Sequence, residues 1–328
     1  MAGQTAEKPT SEFVIPAGEE KNMTRPRVAA AEALIGKKHY ALNGSGCVVL
    51  VDYMGDDSSV VQAARVSYGA GTKKIHEDSG LLRYLMRHRH TTPFEMVEFK
   101  FLIELPIFVA RQWIRHRTAN VNEYSLRYSL AEEKFYVPEE DALLAQSKTN
   151  RQGRGGKLPD NVVKSFREDL KKHSEESFRL YKKYVDEDVA RELARLFLPV
   201  NFSTKWYWKI DAHNLFHFLS LRIDPHAQYE IRQIAQVMAD IVKQVVPIAY
   251  QAFEDFTLDS VRFSRKEKAA LKEIFAGKAI EKACSEAGLK LFKEDGTQIK
   301  NGEGAEFVAK LEGIVGKFDP SGSLLRRE

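Results

Sequence analysis

Alternation of apolar and polar residues along the chain marks two half-buried strands. Residues 97–104 and residues 204–210 alternate mainly apolar side chains with mainly charged or polar ones. Successive side chains of a strand point to opposite faces, so this pattern predicts strands with one buried face. The apolar segment 46–55 fits an earlier strand.

Apolar positions spaced three and four residues apart predict several helices. Ser58 is a candidate N-cap, and Pro106 suits a first helical turn, where no backbone N–H is needed. The longest pattern, in residues 225–255, predicts an apolar seam that belongs either to the core or to a subunit interface. The predicted helices span residues 28–36, 58–68, 79–88, 106–113, 161–187 and 225–255.

Changes in composition divide the chain into three parts. Residues 1–43 show no clear period and are expected to form a mobile arm, and the composition changes to Lys, Glu, Gly and Ala near residue 264. We therefore predict an N-terminal arm (1–43), a central domain (44–262) and a C-terminal extension (263–328), the first and last without an assigned role. The Gly- and Lys-rich segment 148–160 predicts an exposed loop.

The mixture of strands and helices lacks a regular β-α-β rhythm. This predicts an α+β fold with a mixed or antiparallel sheet and packed helices. No Gly-x-Gly-x-x-Gly follows a strand and no Walker loop is present, so a Rossmann fold is not expected.

Composition narrows the class of protein. The chain has 328 residues, 43% hydrophobic and 29% charged, with a net charge of +4, which is ordinary for a globular protein and low for a nucleic-acid-binding one. The two cysteines, Cys47 and Cys284, lie far apart, and Cys47 is expected to be a buried, inert thiol. No apolar run approaches the roughly 20 residues of a membrane span, and no signal-peptide core is visible, so a cytoplasmic protein is expected.

The densest polar cluster follows the apolar run 107–110. It contains Arg-His-Arg at 115–117, and if residues 123–128 are extended, Glu123, Ser125 and Arg127 share one face. Guanidinium groups suit phosphate because two N–H groups meet two oxygens at once, so the cluster indicates a phosphorylated ligand. The alternative is a solvated or interface salt-bridge network.

Two histidine clusters and two isolated arginines are further candidates. His88 and His90 could ligate zinc, but no third ligand is evident, and a ligand-contacting loop is the preferred interpretation. The segment 211–228 predicts a core helix on which His213 and His217 share a face, with Arg222 at its end, suited to an anion or a polarised carbonyl. Arg195 precedes another apolar segment.

These residues resemble the flavin-dependent thymidylate synthases. Residues 115–125 match that family's pattern of Arg-His-Arg, seven residues and Ser, and the similarity covers roughly residues 45–255. Further segments that look like the family, in the family's order, are 49–72, 84–95, 106–117 and 219–231.

The resemblance implies an enzyme of nucleotide biosynthesis, an FAD-dependent methyltransferase. It would convert dUMP to dTMP by reductive methylation, with methylenetetrahydrofolate as carbon donor, FAD as hydride carrier and NADPH as reductant. The resemblance also implies a homotetramer with active sites at subunit interfaces, without nucleic-acid or membrane partners.

Site residues follow from the resemblance, position by position. Arg222 would be catalytic, stabilising negative charge on the pyrimidine as it is activated. The residues implied to bind dUMP are Gln112, Trp113, Ile114, Arg115, Glu123, Tyr124, Ser125, Leu126, Arg127, Arg195 and Arg222. The residues implied to bind FAD are Thr92, Arg115, His116, Arg117, Glu123, Asp211, Ala212, His213 and His217, with His90 near the flavin ring and folate. No metal is implied.

Two of these residues need a physical comment. A serine hydroxyl needs an adjacent base to become a nucleophile, and Glu123 is a weak base, so Ser125 is expected to position the nucleotide. Some relatives carry Asn where this chain has Asp211. A carboxylate is unfavourable beside a flavin phosphate, so the Asp211 side chain is expected to turn elsewhere or to pair with a cation.

Two other classes of function compete with the enzyme. A nucleic-acid-binding module could use residues 87–90 and 115–117, but 50 basic residues against 46 acidic ones argue against a dominant basic face. A scaffold could oligomerise through residues 225–255, with arginines that only bridge subunits. A yellow purified protein would favour the flavin enzyme over both.

Overall fold

The chain folds into two compact units. The computed structural model describes residues 26–66, 75–148, 152–275, 279–293, 297, 299 and 303–315. The first unit comprises Met1–Leu143 and Pro159–Thr257, and the second comprises Leu144–Leu158 and Leu258–Glu328. Residues 144–158 therefore belong with the C-terminal segment, although they lie inside the central domain predicted from sequence. The other boundary falls near the predicted change of composition.

The described strands are all paired antiparallel. They are β1 (Lys38–Ala41), β2 (Gly46–Met54), β3 (Glu98–Pro106), β4 (Asn120–Glu123), β5 (Leu144–Gln146), β6 (Arg154–Lys157) and β7 (Ser203–Asp211). The first unit has a five-stranded sheet in the order β1-β2-β3-β7-β4, and the second has the hairpin β5-β6. The α+β prediction with an antiparallel sheet is confirmed.

The described helices are α1 (Ala29–Glu32), α2 (Asp57–Val66), α3 (Ile75–Arg87), α4 (Ile107–Trp113), α5 (Asp160–Asp186), α6 (Arg191–Ala194), α7 (Ala212–Arg222), α8 (Tyr229–Val245), α9 (Pro247–Phe253), α10 (Arg265–Phe275), α11 (Ile280–Glu286) and α12 (Glu303–Val315). Helices α1 to α9 belong to the first unit and helices α10 to α12 to the second. Short 3-10 or π turns occupy Leu42–Gly44, Thr92–Met96, Arg195–Phe197 and Glu254–Leu258. None of these helices is both long and apolar enough to cross a membrane.

The alternating strands build the core of the first unit. On β3 and β7 the residues predicted to be internal are buried, and Phe101 lies opposite Trp208 while Ile103 lies opposite Trp206. Large aromatic side chains bury much apolar area, so these cross-strand pairs contribute strongly to stability. Both strands were predicted within two residues of their observed ends.

The apolar seam of the long C-terminal pattern belongs to the core. Ile231, Ile234 and Met238 on α8 are fully buried, which resolves the choice between core and subunit interface for these residues. The prediction of one continuous helix over residues 225–255 was wrong. Pro247 has no backbone N–H, and its ring disfavours helical geometry in the residue before it. Helix α8 therefore ends at Val245, and a separate helix, α9, begins at Pro247.

Three other local predictions differ from the structure. Residues Lys38–Ala41, assigned to the arm, form β1 because they pair with β2, while residues 1–25 lie outside the described part of the chain. The N-terminus of α2 is capped by Asp56, whose Oδ1 accepts from the N–H of Ser58 (2.9 Å), so Ser58 is not the cap. Part of the predicted loop 148–160 forms β6.

The second unit has its own small core. Ala270, Cys284 and Phe307, from three different helices, are fully buried together. Ser264 and Glu267 form a capping box at the start of α10, because each side chain accepts a hydrogen bond from the other's backbone N–H. Lys310 on α12 donates to the same Glu267 carboxylate at 2.6 Å, which ties α12 to α10.

Candidate active site

A cleft of about 530 Å³ opens in the first unit beside the start of β7. Its walls are α4, the segment after β4, and the segment between α6 and β7. The last of these is bound to α4, because the carbonyls of Val200 and Phe202 accept from the N–H groups of Phe108 and Ile107 at 2.9 Å. Five residues implied to bind dUMP line the cleft: Glu123, Tyr124, Ser125, Leu126 and Arg195.

A turn carries Ser125 into the cleft. Its carbonyl accepts from the N–H groups of Tyr128 (3.2 Å) and Ser129 (3.1 Å). The extended strand β4 ends at Glu123, so the side-chain alternation expected if residues 123–128 were all extended is not observed. The Ser125 Oγ accepts a backbone bond from Arg127 at 3.3 Å. No carboxylate or imidazole of the described chain bonds that hydroxyl, so no described side chain activates it as a nucleophile.

The Glu123 carboxylate is already engaged. Glu123 ends β4 opposite Trp206, and its Oε1 accepts a hydrogen bond of 2.6 Å from Thr204 Oγ1. Thr204 is buried on β7, so this bond fixes the carboxylate at the wall of the cleft. Glu123 therefore offers its second oxygen to a ligand donor.

Two arginines in the cleft have no carboxylate partner within the described residues. Arg195 donates from Nε to the carbonyl of Glu192 (3.2 Å), which leaves its terminal N–H groups available. Arg111, one helical turn after Ile107, lines the same cleft. Arg127, in contrast, pairs with the Glu192 carboxylate at 3.0 Å in an exposed ion pair. The cleft is thus suited to an anion.

A second cluster of polar side chains, outside the lining of the cleft, contains Arg222 and His116. Arg222 ends α7 and donates from Nε to Nε2 of His116, 2.9 Å away. Burial, Arg222 and His217 together lower the pKa of His116 from 6.5 to about 4. His116 is therefore a neutral acceptor at neutral pH, and its ring proton lies on Nδ1.

An aromatic cluster supports these polar side chains. All three tryptophans of the chain belong to it: the Trp113 ring lies 6.1 Å from that of Trp206 and 5.3 Å from that of Trp208. Phe218 of α7 packs 4.4 Å from Trp113 and 4.9 Å from His116, between ring centroids. Trp113 is one of the residues implied to bind dUMP, but its side chain is fully buried and forms part of the core.

The Asp211 carboxylate accepts hydrogen bonds from within the protein. Asp211 is the N-cap of α7: Oδ1 accepts from the N–H of Asn214 (2.9 Å) and Oδ2 from its amide Nδ2 (2.7 Å). The side chain is therefore turned to the helix, one of the two arrangements expected. The next residue, Ala212, is buried, whereas His213 is partly exposed and His217 exposed.

Thr92 lies in a turn that packs against α7, whereas His90 lies beside the end of α3. Thr92 begins the turn Thr92–Met96, whose Phe94 packs against Phe216 of α7 at 6.4 Å between centroids. His90 is exposed at the end of α3, with its ring 5.8 Å from that of Tyr84. No group of three His, Cys, Asp or Glu side chains among the described residues could hold a metal ion.

The structure thus divides the predicted site residues between two places. Gln112, Arg115 and Arg222 are not among the residues that line the cleft. Within the described chain, Gln112 Oε1 is buried without a hydrogen-bond partner, and Arg115 is exposed and unpaired. Sequence reasoning missed Arg111, whose only signal was its four-residue spacing from Ile107 on a predicted helix.

Comparison with known proteins identifies the family. The sequence model of the family described as "Thymidylate synthase complementing protein" matches residues 49–248. The chain belongs to this family. The resemblance inferred from the Arg-His-Arg motif is therefore confirmed, and the protein is an enzyme of the flavin-dependent thymidylate synthase type.

Relatives cover most of the chain. A flavin-dependent thymidylate synthase of Ehrlichia ruminantium (strain Gardel) is 50% identical over 267 residues, 81% of this chain and 90% of the relative. That of Thermus thermophilus is 53% identical over 244 residues, 74% of this chain and 88% of the relative.

The fold is also similar to solved structures. PolB from Streptomyces cacaoi, a UMP/dUMP methylase bound with 5-Br dUMP, superposes with a TM-score of 0.60 at 36% identity. The match covers 66% of this chain and 97% of PolB. The same enzyme bound with 5-Br UMP matches equally well.

Proposed function

We propose that the protein converts dUMP to dTMP by reductive methylation, with methylenetetrahydrofolate as carbon donor, FAD as hydride carrier and NADPH as reductant. The observation that carries the proposal is the cleft beside β7, where Ser125 and a guanidinium without a carboxylate partner, Arg195, line one space. Such a pair suits a phosphate group. Family membership and the relatives' names favour dUMP as the ligand that carries this phosphate.

Different residues of the chain would bind different parts of the nucleotide. Arg195 and Ser125 would hold the phosphate, and the free oxygen of Glu123 would accept from the sugar or base. Gln112, with its buried and unpartnered carbonyl, has the hydrogen-bonding capacity that a uracil edge requires. Ser125 would act by position, because no carboxylate or imidazole of the described residues bonds its hydroxyl.

Arg222 would act as the electrostatic catalyst. Its guanidinium is partly buried and is bonded to a neutral imidazole, so no carboxylate of the described chain neutralises it. A fixed cation beside the pyrimidine stabilises negative charge that develops as the ring is activated.

The residues implied to hold FAD are chemically suited to it. Arg115 and Arg117 are exposed and unpaired within the described chain, which fits a diphosphate. His213 and His217 lie one turn apart on α7, where they can hydrogen-bond to the cofactor. When bound, the flavin supplies the hydride chemistry of the reaction.

We further propose a homotetramer with active sites at subunit interfaces. The cleft lacks Arg115 and Arg222 in its lining, so a second copy would be needed to bring them to the nucleotide. Two apolar side chains that line the cleft are largely exposed: Leu196 is 78% exposed and Val200 57%. Exposed apolar groups of this kind are typical of an interaction surface.

An absorbance spectrum of the purified protein is the first test. We expect flavin bands that shift when dUMP is added, followed by dTMP formation once folate and NADPH are supplied. A colourless protein that takes up no added FAD and does not respond to dUMP would refute the proposed reaction.

Variants then test the role of Arg222 and the role of the cleft residue Arg195 separately. Arg222→Ala should lower kcat by on the order of 100-fold or more, as expected for loss of an electrostatic catalyst. Arg195→Gln should raise the KM for dUMP about 10-fold, because a charge-assisted hydrogen bond is lost. Arg179→Gln, on the exposed face of α5, is the matched control and should leave both values unchanged.

A further inference from the structure

The hydrogen bond between Arg222 and His116 is unusual for a partly buried arginine, because its acceptor is not a carboxylate. Arginines inside proteins usually pair with carboxylates, which satisfy their donors and neutralise their charge. Here the acceptor is an imidazole nitrogen at 2.9 Å. The two residues are 106 positions apart in the chain, and the contact joins the loop after α4 to the end of α7.

His116 is held firmly enough to direct its partner. Its backbone N–H donates to the carbonyl of Trp113 at 2.9 Å. Its ring packs edge-to-face on Phe218, which in turn packs on Trp113. A ring fixed in this way presents Nε2 in one direction, so a bond to Nε2 orients the Arg222 side chain.

Burial and the groups that face His116 keep it neutral. Burial lowers its pKa to about 4, together with Arg222 and His217, which both come from α7. A neutral acceptor takes one N–H of the guanidinium without offsetting its charge. The terminal N–H groups then remain available for a developing anion.

We infer that His116 is a positioning residue for Arg222, which fixes the guanidinium through a neutral bond and leaves its full charge for the substrate. This inference rests on the proposed function, since Arg222 is the catalytic cation only if the protein methylates dUMP. It gives the middle residue of the Arg-His-Arg motif a role that is separate from any contact with the flavin.

Two amide substitutions form a matched pair. In His116→Gln the side-chain amide reaches the place of Nε2, whereas in His116→Asn it reaches only the place of Nδ1. We expect His116→Asn to lower kcat on the order of 10- to 100-fold, the size of a lost hydrogen bond to a charged group. His116→Gln should retain kcat within about threefold, and the KM for dUMP should change little in either variant.

A double-mutant cycle tests whether His116 acts through Arg222. In the Arg222→Ala background, His116→Asn should have no further effect on kcat, because its target is absent. Additive effects would overturn the inference. A fall in FAD affinity, with kcat restored at saturating FAD, would also overturn it, because His116 would then serve only the cofactor.

A readout without turnover separates this inference from the proposed function. In the flavin-free protein, nuclear magnetic resonance of labelled histidine should show His116 with its proton on Nδ1 and a pKa near 4. In Arg222→Ala the pKa should rise, since a neighbouring cation is removed. If the wild type makes no dTMP, the proposed function fails while this spectrum still tests the bond. A His116 with its proton on Nε2 in the wild type would overturn the positioning role.

Discussion

Asn201 offers the sharpest test of how the cleft is held in place. Its amide Nδ2 donates to the carbonyl of Tyr136 and to Oγ of Ser174, both at 2.9 Å, and Asn201 is only 6% exposed. Ser174, fully buried on α5, donates onward to the carbonyl of Leu170. These bonds anchor to α5 the segment that carries one wall of the cleft.

The expected loss in the free energy of unfolding follows from the number of these hydrogen bonds that a variant removes. Asn201→Ala removes two buried hydrogen bonds and leaves two acceptors without this donor, which should cost about 2–4 kcal/mol. Asn201→Asp should cost at least as much, because a buried carboxylate would face the Tyr136 carbonyl. Ser174→Ala removes a single acceptor and a single donor and should cost about 1–2 kcal/mol.

The assay is urea unfolding followed by tryptophan fluorescence. All three tryptophans lie in the first unit, so the signal reports on that unit alone. Asn122→Ala, on the exposed strand β4, is the control and should stay within about 0.5 kcal/mol of the wild type. An Asn201→Ala variant as stable as this control would show that the network does not hold the segment.

Two predictions concern the second unit and the thiols. Lys310→Met should destabilise the second unit by about 3 kcal/mol, because it leaves the Glu267 carboxylate, 5% exposed, without its cation. Hydrogen exchange in α10 should accelerate, and exposed Lys268→Met should not change it; equal exchange in both variants would contradict the role of Lys310. Burial raises the pKa of Cys47, and that of Cys284 to about 11, so neither thiol should react with a disulfide reagent at pH 8 until the protein is denatured. Rapid labelling of the native protein would contradict the burial of these side chains.

The elements with long, regular patterns could be predicted from sequence. The helix predicted over residues 161–187 is observed as Asp160–Asp186, and the strand predicted over 97–104 is observed as Glu98–Pro106. Such patterns record which face of an element is buried, and burial dominates the choice of structure. The antiparallel α+β fold follows from them.

Features set by single bonds could not be predicted in the same way. The turn at Ser125 depends on its carbonyl accepting from Tyr128 and Ser129, whereas the side-chain pattern there also fits a strand. The bond between Arg222 and His116 joins residues 106 positions apart, so no local spacing reveals it. Family resemblance supplied both residues as site candidates but not the contact between them.

Asp211 shows how the fold accommodates a carboxylate at a position that the resemblance implies to contact FAD. A carboxylate at this position would repel a flavin phosphate if it faced the cofactor. Its two oxygens instead accept from the backbone N–H and the amide of Asn214. The N-terminus of α7 carries partial positive charge from its unpaired N–H groups, which further stabilises the anion. Asp and Asn are both good N-caps, so either residue can start α7 in the same place and leave the histidines that follow in position.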